Sequence, residues 1–164
     1  MSSRDPERSA QLSVLDRLID TEPRVAADPP LGWTESVRRV KFSLLRDLEW
    51  LLNTRRIADA ASDRYPEVQR SVYHFGLPDI TSLSGDSEAV RRRLLRQVED
   101  TIETFEPRLA DVRVSPVESD DENRRRIRFV IEGVLRMEPN PEHVVFDTVL
   151  ETTSGEFAIG GAHA

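Results

Sequence analysis

The chain contains no cysteine, a single lysine (Lys41), three histidines and seven glycines in 164 residues. Without cysteine there is no disulfide scaffold, no Cys-ligated zinc and no thiol nucleophile, which permits a reducing compartment. No apolar run approaches the roughly 18 residues of a membrane span, and the first residues lack the apolar stretch of a signal peptide. Those absences point away from a membrane protein or a conventionally secreted one. The few glycines include no phosphate-cradling loop, and no His-Glu-x-x-His spacing is present. The three histidines (His74, His143, His163) lie in no Ser- or Asp-rich setting that would suggest a nucleophilic triad. No cofactor or metal is expected.

What is present is charge. Acidic residues number 30 and basic residues 23, a net of −7, and 22 of the basic residues are arginine. An acidic balance argues against nucleic-acid binding, which usually shows a basic excess. Arginine preference fits either genomic base composition or interfaces, because the guanidinium pairs bidentately and resists desolvation better than an ammonium. The Arg91–Arg93 run resembles a nucleic-acid patch. Glu88 four residues before Arg92 makes a solvated helix face the better reading.

The length suits one domain. Residues 1–32 read as a polar start, a short amphipathic helix (Leu12, Val14, Leu15, Leu18, Ile19) and a linker holding Pro29 and Pro30. That helix is expected to fold back on the core rather than stand alone. Thr34 is the expected N-cap of a long helix whose apolar face is Val37, Val40, Leu44, Leu48 and Leu51. Pro66 opens a short helix that Gly76 ends. A second long helix starts near Asp86 or Ser87, carries Val90, Leu94, Val98, Ile102 and Phe105, and stops at Pro107.

Beyond Pro107 the period changes from 3.6 to 2. Val112 and Val114 mark a short strand. Residues 126–137 alternate strongly, and a last strand runs through Val144, Phe146, Thr148 and Leu150 until Gly155. Residues 118–126 read as a charged loop, Pro139–Pro141 as a turn, and 158–164 as a tail. Helices followed by an antiparallel meander define an α+β fold, with N-terminal helices packed on a small C-terminal β-sheet, over residues 33–157.

Three features bear on function. Glu49 beside Trp50 superficially suits a glycosidase acid, yet adjacent helix residues point about 100° apart. Trp50 itself either packs under a loop or anchors a partner. Glu106-Pro107-Arg108 sets two charged groups around a rigid corner, and from residue types alone a helix stop with an internal Glu–Arg contact is the simpler reading. The hairpin at 126–153 offers an edge for strand addition.

The segments Ser13–Leu18, Asp47–Arg56, Gly76–Asp79, Phe105–Leu109 and Phe146–Leu150, in that order, resemble the TssE family of type VI secretion baseplate subunits, within the contractile-phage baseplate wedge ("lysozyme-like") group. The resemblance implies a cytoplasmic structural protein at the inner face of the cell envelope, not an enzyme. It implies wedge partners TssF and TssG, with TssK peripheral, and sheath subunits TssB and TssC joined by strand addition, with no nucleic acid and no membrane insertion. By the same resemblance Glu106, Pro107 and Arg108 contact neighbouring wedge helices, reversing the simpler reading of that corner. Partner contacts are likewise expected of Glu49, Trp50, Asn53, Arg55 and Arg56, and of Val144, Val145, Phe146, Asp147, Thr148 and Val149. The competing readings are a peptidoglycan hydrolase and a regulatory anti-adaptor module.

Overall fold

The computed structural model describes residues 12–19, 24, 32–59, 64–79, 88–117, 126–138 and 140–163. The expected helix start at Asp86 or Ser87, the loop at 118–125, Pro139 and most of the linker lie outside the described residues.

Helix α1 (Val14–Leu18) is a single turn, closed by the Ser13 hydroxyl, which accepts from the Asp16 N–H. It buries none of its own residues, but Leu12 just before it packs on the core, so the segment does fold back. Helix α2 runs Trp33–Asn53. Gly32, not Thr34, takes the N-cap position, and no side chain caps the end. Instead the Ser36 N–H bonds the Gly32 carbonyl, and the Ser36 hydroxyl donates to the Trp33 carbonyl. The apolar stripe falls as its 3.6-residue period dictates: Val40, Leu44, Leu48 and Leu51 are buried, with Leu52 beside them.

Helix α3 (Pro66–Gln69) is followed by a 3-10 turn at Val72–His74, so the expected second helix is two short pieces. Gly76, at φ +97°, turns the chain after it. The Leu77 N–H bonds the Thr54 carbonyl, and the Arg56 N–H bonds the Leu77 carbonyl, tying this turn to the end of α2. Helix α4 (Glu88–Phe105) buries Leu94, Leu95, Val98, Thr101 and Ile102, while Arg91, Arg92 and Arg93 are exposed and Arg92 pairs with Glu88 at 3.5 Å. That run is a solvated helix face.

The sheet is a four-stranded antiparallel meander in the order β1-β2-β3-β4. Its strands are β1 (Leu109–Pro116), β2 (Arg126–Leu135), β3 (Glu142–Glu151) and β4 (Glu156–His163). Strict alternation puts Ile127, Phe129, Ile131 and Leu135 of β2 and Val144, Phe146 and Leu150 of β3 into one core with the helices. Helix α4 lies against β1 and α2 against β4. The result is the expected α+β arrangement of helices on a C-terminal antiparallel sheet.

One strand was not expected. Residues 158–163, read from the sequence as tail, continue β4. Phe157 is its buried anchor, edge-on to Phe129 with ring centres 6.1 Å apart. Because β4 covers the far side of β3, the latter is an interior strand. Val145, for example, pairs with Glu132 on one side and His163 on the other. Residues Val144–Val149 therefore offer no free edge to an incoming strand, and Val144, Phe146 and Thr148 are buried besides. The expectation that this stretch accepts strands is corrected: the open edges belong to β1 and β4.

Candidate functional site

Helix α4 ends at Phe105 because Pro107 follows, and the chain enters β1 two residues later. At this corner Glu106 is buried, its side chain only 7% exposed. Arg108 reaches back around Pro107 and forks onto it, Nε donating to Oε1 at 2.7 Å and Nη2 to Oε2 at 2.6 Å. The same Nη2 donates to Asp47 Oδ2 on α2 at 2.6 Å, and Nη1 donates to the Ser43 hydroxyl at 3.2 Å. The Glu106 hydrogen bond, opposed by burial and aided by Asp47, raises the pKa of Arg108 above its ordinary value, so this cation is fixed.

The charges continue as a chain. Asp47 also accepts from Arg46, whose guanidinium pairs with Asp16 of α1 at 2.9 Å and lies 5.2 Å from the centre of the Trp50 ring. Burial acts to raise the Asp16 pKa, but the Ser13 hydroxyl and Arg46 outweigh it and hold the carboxyl below its usual value. An alternating series Asp16–Arg46–Asp47–Arg108–Glu106 thus links the N-terminal helix to the Pro107 corner. Simple periodicity gave no sign of it.

The corner's charged groups are consequently committed within the chain, as the residue types alone suggested. Pro107 is exposed and a quarter of the Arg108 side chain remains open, which is the surface a neighbour could reach. Trp50 is 56% exposed, stacked on Arg46 rather than tucked under a loop, and Glu49 is exposed beside it.

Asn53, expected at an interface, has an internal task. Its carboxamide donates to the Phe157 carbonyl at 2.9 Å and accepts from the Phe157 N–H at 2.8 Å. It thereby stands in for a neighbouring strand at that point on the β4 edge. Arg55 pairs with Asp79 at 2.9 Å and donates to the Ser154 carbonyl at 3.2 Å. Arg56 differs: its Nε is buried and has no hydrogen-bond partner among the described residues.

The described residues include no group of His, Asp or Glu placed to hold a metal ion, and no helix long and apolar enough to cross a membrane. The site is a set of interlocked charged and amide side chains around the ends of α2 and α4. The chain matches the family described as baseplate wedge protein gp25 over residues 38–140, from α2 to the β2–β3 turn, and belongs to it. That family is a structural component of phage-like baseplates, the group to which the sequence resemblance pointed. No curated protein matches the chain.

Proposed function

We propose that this chain is the TssE-type wedge subunit of a type VI secretion baseplate, a cytoplasmic structural part without hydrolytic activity. It joins TssF and TssG, with TssK at the periphery, to the first ring of the TssB/TssC sheath. The observation that carries this reading is the gp25-family match from within α2 through α4 and the first two strands, together with the ordered motifs around Trp50 and Pro107.

Wedge helices contact the molecule at Glu49, Trp50, Pro107 and the open part of Arg108, with Arg55 and Arg56 nearby. The internal fork on Arg108 holds that surface rigid, so binding costs little side-chain entropy. Strand addition uses the outer edge of β4 rather than β3. Each outer strand has an irregularity in its pairing, at Asp111 (φ 51°) on β1 and opposite Asp147 on β4, and the edge of β1 is the poorer template because Pro116 has no N–H to offer. On β4 the Phe157 backbone is already capped by Asn53, leaving Ile159 as the first outward-facing position.

Co-expression with TssF and TssG followed by size exclusion tests the wedge role. A stable ternary complex supports it, and elution of this chain alone overturns it. Ile159→Pro, in protein whose circular dichroism is native, is expected to leave that complex intact and abolish sheath initiation. A cell-wall turbidity assay is expected to show no clearing.

A further inference from the structure

We propose that the groove between the α3 segment and α4 is a receptor for a carboxylate side chain, Asp or Glu, carried by a neighbouring subunit of the assembly. This rests on the reading of the chain as an assembly subunit. The groove has a volume of about 550 Å³, and its lining includes Arg56, Arg70, His74, Gln97 and Asp100. Arg56 enters from a fixed point, since its backbone N–H bonds the Leu77 carbonyl at 2.7 Å. Its Nε is nonetheless buried without an acceptor among the described residues. A buried guanidinium N–H is costly to leave unpaired.

Asp100 lines the same groove, yet no ion pair joins it to Arg56 or Arg70 among the described residues. Every other buried or half-buried arginine of the α2 and Pro107 region is matched: Arg46 to Asp16 and Asp47, and Arg108 to Glu106 and Asp47. Arg56 and Arg70 against Asp100 leave one positive charge in excess. A single carboxylate neutralises it, and the planar guanidinium fork matches a carboxylate edge. A phosphate dianion would overcompensate, and Asp100 repels it more strongly than a single carboxylate. The Gln97 amide can supply a further donor.

The test uses the isolated chain, so its outcome is independent of whether the wedge complex forms. The Arg56 Nε–H signal and the backbone amides of Arg70 and Gln97 are followed by ¹H–¹⁵N correlation spectroscopy. The probes are N-acetyl-glutamate N-methylamide, its glutamine analogue and inorganic phosphate. The glutamate probe is expected to move these signals saturably, and the glutamine analogue to leave them in place. Asp100→Asn should tighten the glutamate probe several-fold, and Arg70→Gln should weaken it several-fold, with melting temperatures near that of the parent chain. A merely structural Arg56 would not give opposite signs at those two positions. Absence of a saturable shift, equal response to the glutamine analogue, tighter binding of phosphate, or indifference to Asp100→Asn would each overturn the proposal.

Discussion

Arg108 holds both carboxylate oxygens of Glu106 in a two-point fork, at 2.7 and 2.6 Å, across the single intervening residue Pro107. The proline fixes the backbone between them, so the pair is geometrically prepared before any partner arrives. Its remaining contacts, to Asp47 and Ser43 on α2, tie the helix-to-strand corner to the long helix. The corner is therefore a structural latch first, and any surface it presents to another subunit inherits its rigidity.

Removing the cation should cost stability as well as association. Arg108→Met leaves the buried Glu106 carboxylate without its partner, a change expected to destabilise by about 3 kcal/mol, the lower end for buried pairs because Arg108 is partly exposed. Adding Glu106→Gln should recover part of the loss. Urea denaturation of the two single variants and the double variant measures the coupling. Additive losses would show that the fork contributes nothing.

Asn53→Ala should loosen β4. It deletes both hydrogen bonds to the Phe157 backbone, with an expected cost of about 1–3 kcal/mol. Amide exchange at Phe157 should accelerate far more than at Phe129, which lies inside the sheet. Uniform acceleration would mean that the side chain supports the domain as a whole rather than this edge.

Gly76→Ala meets two obstacles. The residue sits at φ +97°, and a Cβ there would lie 2.3 Å from the Thr54 carbonyl oxygen, which is backbone and cannot swing aside. A loss of at least about 1–3 kcal/mol is expected, read as a lower thermal midpoint. Gly161→Ala, where a Cβ meets nothing within 4 Å, is the matched control and should be nearly silent.

Acid should release α1. Because the folded-state pKa of Asp16 is lowered, the stabilisation from its pairing with Arg46 is complete above the ordinary aspartate value of about 3.9. It is lost as pH falls through the lowered value. Exchange protection of the Arg17 and Ile19 amides, which bond the Ser13 and Leu15 carbonyls, should fall as pH drops below about 4 while the sheet stays protected. Asp16→Asn should show the low-pH behaviour throughout.

The sequence by itself determined the elements whose side chains repeat. Val40, Leu44, Leu48 and Leu51 spell one helical face, and Ile127, Phe129, Ile131 and Leu135 spell one sheet face, because burial on a single side leaves a period of 3.6 or 2. It also determined the stop at Pro107, where the ring forbids the helix to continue. Only the tertiary structure decided the fate of residues 156–163: two adjacent glycines carry no side chains from which an alternation can be read, and the strand is held by Phe157 and by an asparagine 104 positions away. The same holds for the acceptors of Arg108. Glu106 is legible as a near neighbour, but Asp47, 61 residues distant, comes into reach only when α2 and the Pro107 corner pack together. Local periodicity records which face is buried; it carries no record of which charge will meet which, because that pairing is fixed by the packing of elements far apart in the chain.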